Sequence, residues 1–252
     1  MCTVVLLSRP DHPWPLMLAA NRDERLDRAW DPPAAWWPAR QGVVAGRDRS
    51  GGGTWMGVNG HRVVAAVLNR PGSLGPAPGK RSRGELPLLA LAHASAVAAA
   101  AAITSLDGAF WRSFNMVVAD ATGTAFFLRG LGAGRPEAIP LAPGLHMVTS
   151  RDPDDVTSQR VARHLPRFRA APPPDEDGWS AWRTLLTDRS GGPAEQLTVA
   201  PRAGYGTTCS SLLGLPRQGA PVWCFAPVTA DGTIFRTVDP AAAGHDSTAR
   251  QE

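Results

Sequence analysis

Lysine is nearly absent from this chain: Lys80 is the only one among 26 basic residues. Tyrosine occurs once and cysteine three times. An odd, sparse set of Cys2, Cys209 and Cys224 describes no disulfide framework, so a reducing, cytoplasmic setting is the expectation. The cysteines and histidines show no zinc-like spacing, and no metal site is expected. Long apolar runs are missing too. Nothing approaches the roughly 20 apolar residues that span a bilayer. The N-terminal run Thr3-Val4-Val5-Leu6-Leu7 stops at Arg9-Pro10-Asp11, short of the roughly 7–15 residues of a signal-peptide core. The net charge is +4, yet the basic residues are spread along the chain rather than gathered in a stripe. The densest group, Lys80-Arg81-Ser82-Arg83, reads as a solvated turn before a helix, so nucleic acid is not an expected partner.

What is present fits a folded protein. The 252 residues are 43% hydrophobic and 19% charged, enough to bury a substantial core. Residues 1–240 are expected to form one domain, and the polar Ala/Gly-rich tail 241–252 is expected to be disordered. Thr3 to Leu7 and Leu16 to Ala20 read as strands joined by a Pro-rich loop, with the polar tetrapeptide Asn21-Arg22-Asp23-Glu24 where the second strand stops. A triple glycine, Gly51-Gly52-Gly53, precedes a strand from Thr54 to Val58; no Gly-Lys-Ser/Thr follows, so it is not a phosphate loop. Asn59-Gly60 predicts a tight hairpin returning to Asn69. One long helix is expected from the Ser82–Leu86 region to about Ile103, and a second over Val156 to Phe168. Between them lie a hairpin, Asn115–Ala119 with Thr124–Leu128, and a strand at Leu145–Ser150. A short helix at Trp179–Leu186 and closing strands at Val222–Ala226 and Thr233–Val238 follow. This order favours an α+β layered protein with antiparallel sheets.

The chemistry points to the second residue. Removal of Met1 would place a thiol and a free α-amine on Cys2. The thiol titrates near about 8.5 and the amine near about 7.7–8.0, so the amine can serve as base. An N-terminal nucleophile also needs a group to hold its amine, a cation to favour thiolate and donors for an oxyanion. Asp23, Arg22 and Asn69 are the candidates for these roles.

Met1-Cys2 with its strand, Asn21-Arg22-Asp23-Glu24, Gly46-Arg47-Asp48 and Gly52-Gly53-Thr54-Trp55-Met56-Gly57 together resemble the NRDE family. Its eukaryotic relative is the transport and Golgi organisation protein. Weaker matches at Asn69, Ser82-Arg83-Gly84, Phe114-Asn115, Ser150 and Tyr205-Gly206-Thr207 extend the resemblance over roughly residues 1–238. It implies an N-terminal nucleophile hydrolase fold, an αββα four-layer sandwich of two antiparallel sheets. It implies an activity similar to that of bile-salt hydrolases and penicillin acylases, which cleave linear amides. Carried over, Cys2, Arg22, Asp23 and Asn69 would be catalytic, and Trp55, Ser150, Arg151 and Thr208 would contact a small-molecule substrate. Two positions depart from the family pattern: Arg151 stands where Asn is usual and Thr208 where Arg is usual. The resemblance carries a second expectation, a non-catalytic pocket for haem or a hydrophobic metabolite, with His146, Met147 or Cys2 as haem ligands.

Overall fold

In the computed structural model the described residues are 2–174 and 178–239, so Met1 and the 241–252 tail lie outside them. The chain opens as a hairpin of β1 (Thr3–Ser8) and β2 (Leu16–Arg25), with Thr3 opposite Asn21 and Leu6 opposite Leu18. All six residues of β1 are buried. The strand is covered on both faces, which is why it reads as a continuous apolar run. β2 runs on through the tetrapeptide instead of stopping before it, because a late strand, β11 (Tyr205–Leu215), pairs along its whole length.

The next four strands, β3 (Trp30–Ala34), β4 (Val44–Asp48), β5 (Met56–Val58) and β6 (Val63–Asn69), build a second sheet. Pro32 and Pro33 are tolerated in β3 because it is an edge strand with an irregular register between Asp31 and Ala34. The Asn59-Gly60 turn takes four residues rather than two: Arg62 has φ 61°, and the Asn59 side chain accepts from His61 and Val63 N–H.

The expected long helix is two helices, α1 (Glu85–Ala90) and α2 (Ala96–Thr104). Asn59 Nδ2 donates to the carbonyls of Leu91 and His93, both at 2.8 Å, and so stops the first helix. Ser95, in extended conformation, caps the second by accepting from Ala98 N–H, and Asp120 accepts from Ala96 N–H. β7 (Phe114–Asp120), β8 (Ala125–Gly130) and β9 (Glu137–Pro140) complete the second sheet in the order β3-β4-β5-β6-β7-β8-β9.

β10 (Gly144–Val148) returns to the first sheet beside β1. Then come α3 (Gln159–Ala170), α4 (Ser180–Leu186), β12 (Val222–Thr229), β13 (Gly232–Thr233) and β14 (Arg236–Thr237). The first sheet runs β10-β1-β2-β11-β12-β13, with β14 on β12, and every pairing in both sheets is antiparallel.

Three cores define four layers. One lies between the sheets and holds Leu6, Leu18, Val64 and Phe127. A second seats α1 and α2 on the second sheet, and a third seats α3 and α4 on the first through Val5, Met17, Phe168 and Trp182. A buried side chain of this size contributes about 1.5–3 kcal/mol. The architecture is therefore α+β and αββα. Among the described residues, no helix is long and apolar enough to cross a membrane.

Candidate active site

β2 sorts its polar residues by parity, because successive strand side chains point to opposite faces. Ala20 faces the core between the sheets, and Ala19 the core beneath the helices. Arg22 and Glu24 follow the first face; Asn21 and Asp23 follow the second. Cys2 shares its parity with Val4 and Leu6 and packs against the inter-sheet core. Cys2 and Arg22 thus lie on one side of the sheet and the Asp23 carboxylate on the other.

The side toward the helices is densely bonded. Asn21 Nδ2 donates to Leu186 and Leu197 carbonyls, both at 2.9 Å, and its oxygen accepts from Ser210 Oγ at 2.6 Å. The Asp23 carboxylate accepts from Thr207 Oγ1 at 2.6 Å and Arg160 Nη1 at 3.0 Å. Arg160, buried on α3, also donates to Thr3 Oγ1 at 3.0 Å. The sequence reading missed this arginine. Its only signal was a basic residue beside Val161 on the apolar stripe of α3, where a solvated residue is not expected.

A β-bulge between Thr207 and Cys209 lets β11 serve both sides. Thr207 stands opposite Asp23 and Cys209 opposite Arg22, with Thr208 inserted between them. Thr208 Oγ1 accepts from Arg22 Nη1 and bonds the Arg22 carbonyl, both at 3.2 Å. Arg22 is further held by its guanidinium lying 4.6 Å from the Trp55 ring centroid. Glycines make room here: a Cβ on Gly46 would come within 2.3 Å of the Trp55 ring, and one on Gly53 within 2.3 Å of the Gly84 backbone.

On the opposite side, Cys2, Arg22, Trp55, Asn69 and Tyr205 line a cleft of about 840 Å³. Cys2 Sγ receives the Asp23 backbone N–H at 3.4 Å and lies 3.5 Å from the Asp23 carbonyl. Tyr205 Oη donates to that carbonyl at 2.8 Å. Burial, and secondly the Asp23 carboxylate, raise the Cys2 pKa, while the Asp23 N–H and Arg22 pull it down. The thiol is therefore protonated at neutral pH, and a thiolate would form there only with the help of a base. Asn69 ends β6 on the facing sheet, and its side-chain amide has no hydrogen-bond partner among the described residues. A second cavity, of about 20 Å³, lies behind Cys2 and is walled by Val4, Met56, Leu68 and Cys209. Burial pushes the Cys209 thiol up to about 12, which leaves it inert.

Three expected substrate contacts lie elsewhere. Ser150 is buried, Thr208 sits behind Arg22, and the exposed Arg151 pairs with Asp155 at 3.9 Å; none of them lines the cleft. The 149–152 loop is pinned from the second sheet, where Asn115 Nδ2 donates to the carbonyls of Thr149 and Arg151. Arg70 and Arg129 clamp Asp152 at 2.9 and 2.8 Å. His146 is bonded through both ring nitrogens, to Asp154 at 2.8 Å and the Ala142 carbonyl at 2.9 Å. Met147 is buried against the helix layer. Neither residue fits a haem-ligand role in this arrangement.

The family model described as Transport and Golgi organisation 2 matches residues 1–178. No curated protein matches the chain. Among solved structures, an N-acylethanolamine-hydrolyzing acid amidase ortholog from Caenorhabditis elegans superposes with TM-score 0.59 at 11% identity, covering 86% of this chain and 94% of its own. Penicillin V acylase from Agrobacterium tumefaciens gives 0.55 at 13% identity, covering 91% of this chain and 84% of its own. The mutant C2A of conjugated bile acid hydrolase from Clostridium perfringens gives 0.53 at 12% identity, covering 97% of this chain and 99% of its own. These likenesses show the fold alone, the αββα arrangement of two antiparallel sheets.

Proposed function

The chain belongs to the Transport and Golgi organisation 2 family, and from that premise we propose that it is an N-terminal cysteine amidohydrolase acting on a linear amide or related acyl bond of a small molecule. The observation that carries the reading is that one cleft is lined by both the Cys2 thiol and the Asn69 amide, which has no hydrogen-bond partner among the described residues. The three solved relatives, whose names describe an acid amidase, an acylase and a hydrolase, support the same class.

Removal of Met1 frees the α-amine of Cys2, which takes the thiol proton. The thiolate, favoured by the Asp23 N–H and Arg22, attacks the acyl carbon, and the carbonyl oxygen becomes an oxyanion. Asn69 Nδ2 donates to it. Collapse expels the amine, which leaves with the proton held by the α-ammonium, and a thioester remains on Sγ. Water, deprotonated by the α-amine, then attacks the thioester; the acid is released and the thiol restored. Asp23 acts through its backbone on the sulfur, while its carboxylate, held by Thr207 and Arg160, fixes the end of β2. Thr208 orients Arg22 rather than meeting substrate.

Intact-mass spectrometry after incubation with amide and thioester libraries tests this. Loss of Met1 and an acyl adduct on wild type, absent from Cys2→Ala, are expected. A chain that keeps Met1 has no such base, and the mechanism then fails.

A further inference from the structure

The cleft is charged unevenly. Seven of its lining residues are basic and two acidic. The inner wall is balanced: Arg28 Nε lies 2.8 Å from Asp48 and 3.8 Å from Glu24, and Arg22 lies 3.8 Å from each. At the rim, Arg25 pairs with Asp27 and Arg81 with Glu85. The outer wall is different. Lys80, Arg83 and Arg112 meet no carboxylate among the described residues. Lys80 donates to the Ala109 carbonyl at 2.5 Å. Arg112 donates to loop carbonyls, Gly72 at 2.5 Å and Leu74 at 2.7 Å. Arg83 Nη1 donates to the Ser73 carbonyl and hydroxyl and to the Ser113 carbonyl. Its Nε and Nη2 engage nothing among the described residues.

Carbonyls satisfy donors but do not neutralise charge. Burial, and secondly the nearby Arg112 guanidinium, lower the Arg83 pKa to about 10, so it stays cationic at neutral pH against both effects. A half-buried cation beside a second one gains most from an anion, and the guanidinium fork matches the two oxygens of an oxyacid. Leu74, 53% exposed, supplies an apolar surface along the same wall.

We propose that Lys80, Arg83 and Arg112 form a subsite for an oxyacid group, carboxylate or phosphate, carried by the molecule whose acyl bond reaches Cys2. The identity of that molecule as an acyl substrate rests on the hydrolase reading; the anion subsite rests on the cleft alone. Such a group would anchor the substrate's polar end while its acyl end lies over Cys2.

Two titrations test it. Wild type, Arg83→Gln, Arg112→Gln and, as a control outside the cleft, Arg189→Gln are titrated with inorganic phosphate. The same set on a Cys2→Ala background, which prevents turnover, is titrated by calorimetry with N-decanoylglycine, its O-phosphoethanolamine counterpart and the neutral N-decanoylethanolamine. At least one charged amide is expected to bind roughly tenfold or more tighter than the neutral one, as a charge-assisted hydrogen bond provides. The preference should shrink with salt. Arg83→Gln and Arg112→Gln should abolish it and Arg189→Gln should not. The better of the two charged amides distinguishes carboxylate from phosphate. If Arg83→Gln does not fold, Arg112→Gln decides. Saturable phosphate binding lost in these variants, with no amide bound, would keep the subsite and remove the hydrolase reading. Equal affinity for neutral and charged amides, a preference that survives both variants, or no binding of phosphate or charged amide overturns the proposal.

Discussion

The two faces of β2 are built to opposite rules. Toward the helices, Asn21 and Asp23 have their side-chain oxygens bonded, and each ties down an element distant in sequence. Toward the cleft, Arg22 is held and the Cys2 thiol meets only the Asp23 backbone, while the Asn69 amide has no hydrogen-bond partner among the described residues. One strand thus separates saturated polar groups from cleft-facing ones by side-chain parity. Saturation on one face fixes the backbone that presents the other.

Substitutions can break this division, and the largest effect should come from the cleft face. Cys2→Ala is expected to abolish acyl-enzyme formation in the mass assay while leaving the urea midpoint near wild type. Asp23→Asn attacks the other face. It keeps the Thr207 contact but removes the carboxylate 3.0 Å from the buried Arg160, and breaking such a buried pair costs up to about 3–5 kcal/mol in urea unfolding. Asn69→Ala should lower kcat by about 10²–10³ with an unchanged midpoint, since its amide bonds nothing among the described residues. A large stability loss here would erase the contrast between the faces.

The smallest effect sharpens the comparison from outside it. The Asp154 hydrogen bond raises the His146 pKa above its ordinary value. Asp154 is partly buried, which alone would raise its pKa, yet bonds from His146 and Met147 N–H leave it lowered. His146 therefore contributes stability that is full below about 6.5 and is lost as pH rises through its raised pKa. Asp154 contributes stability present above about 3.9 and lost as pH falls through its lowered pKa. His146→Gln should flatten both limbs of the stability profile by about 1 kcal/mol or less, without changing acylation.

The sequence revealed most where information is local. The opening hairpin, Cys2, Arg22 and the strand ending at Asn69 are readable from apolar runs and turn residues, and the structure brings these side chains to one cleft. The central strand β11 was not assigned. Tyr205-Gly206-Thr207-Thr208-Cys209 has no clear alternation, and its partner lies some 180 residues earlier. The bulge that divides Thr207 from Thr208 is a property of that pairing and leaves no local trace. The sequence reading offers Asp23 as the group that holds the Cys2 amine; the extension of β2 places its carboxylate on Thr207 and Arg160, from where its charge still raises the Cys2 pKa. Arg160 comes from a helix and Arg112 from a loop, both placed by packing, so no spacing rule finds them. The split of the long helix depended on Asn59, whose side chain reaches carbonyls more than thirty residues away.

The cavity behind Cys2 holds about 20 Å³, room for roughly one water molecule. The Cys2 thiol therefore stands over a small hollow, not at the mouth of a wide tunnel. On the hydrolase reading, an acyl chain reaching the thiol finds room along the cleft of about 840 Å³ rather than between the sheets. A core tunnel would impose a sharp limit on chain length, whereas an open wall imposes a gradual one, with each added methylene contributing at most about 0.8 kcal/mol. The protein should accept a family of acyl lengths and discriminate among them by the group at the other end.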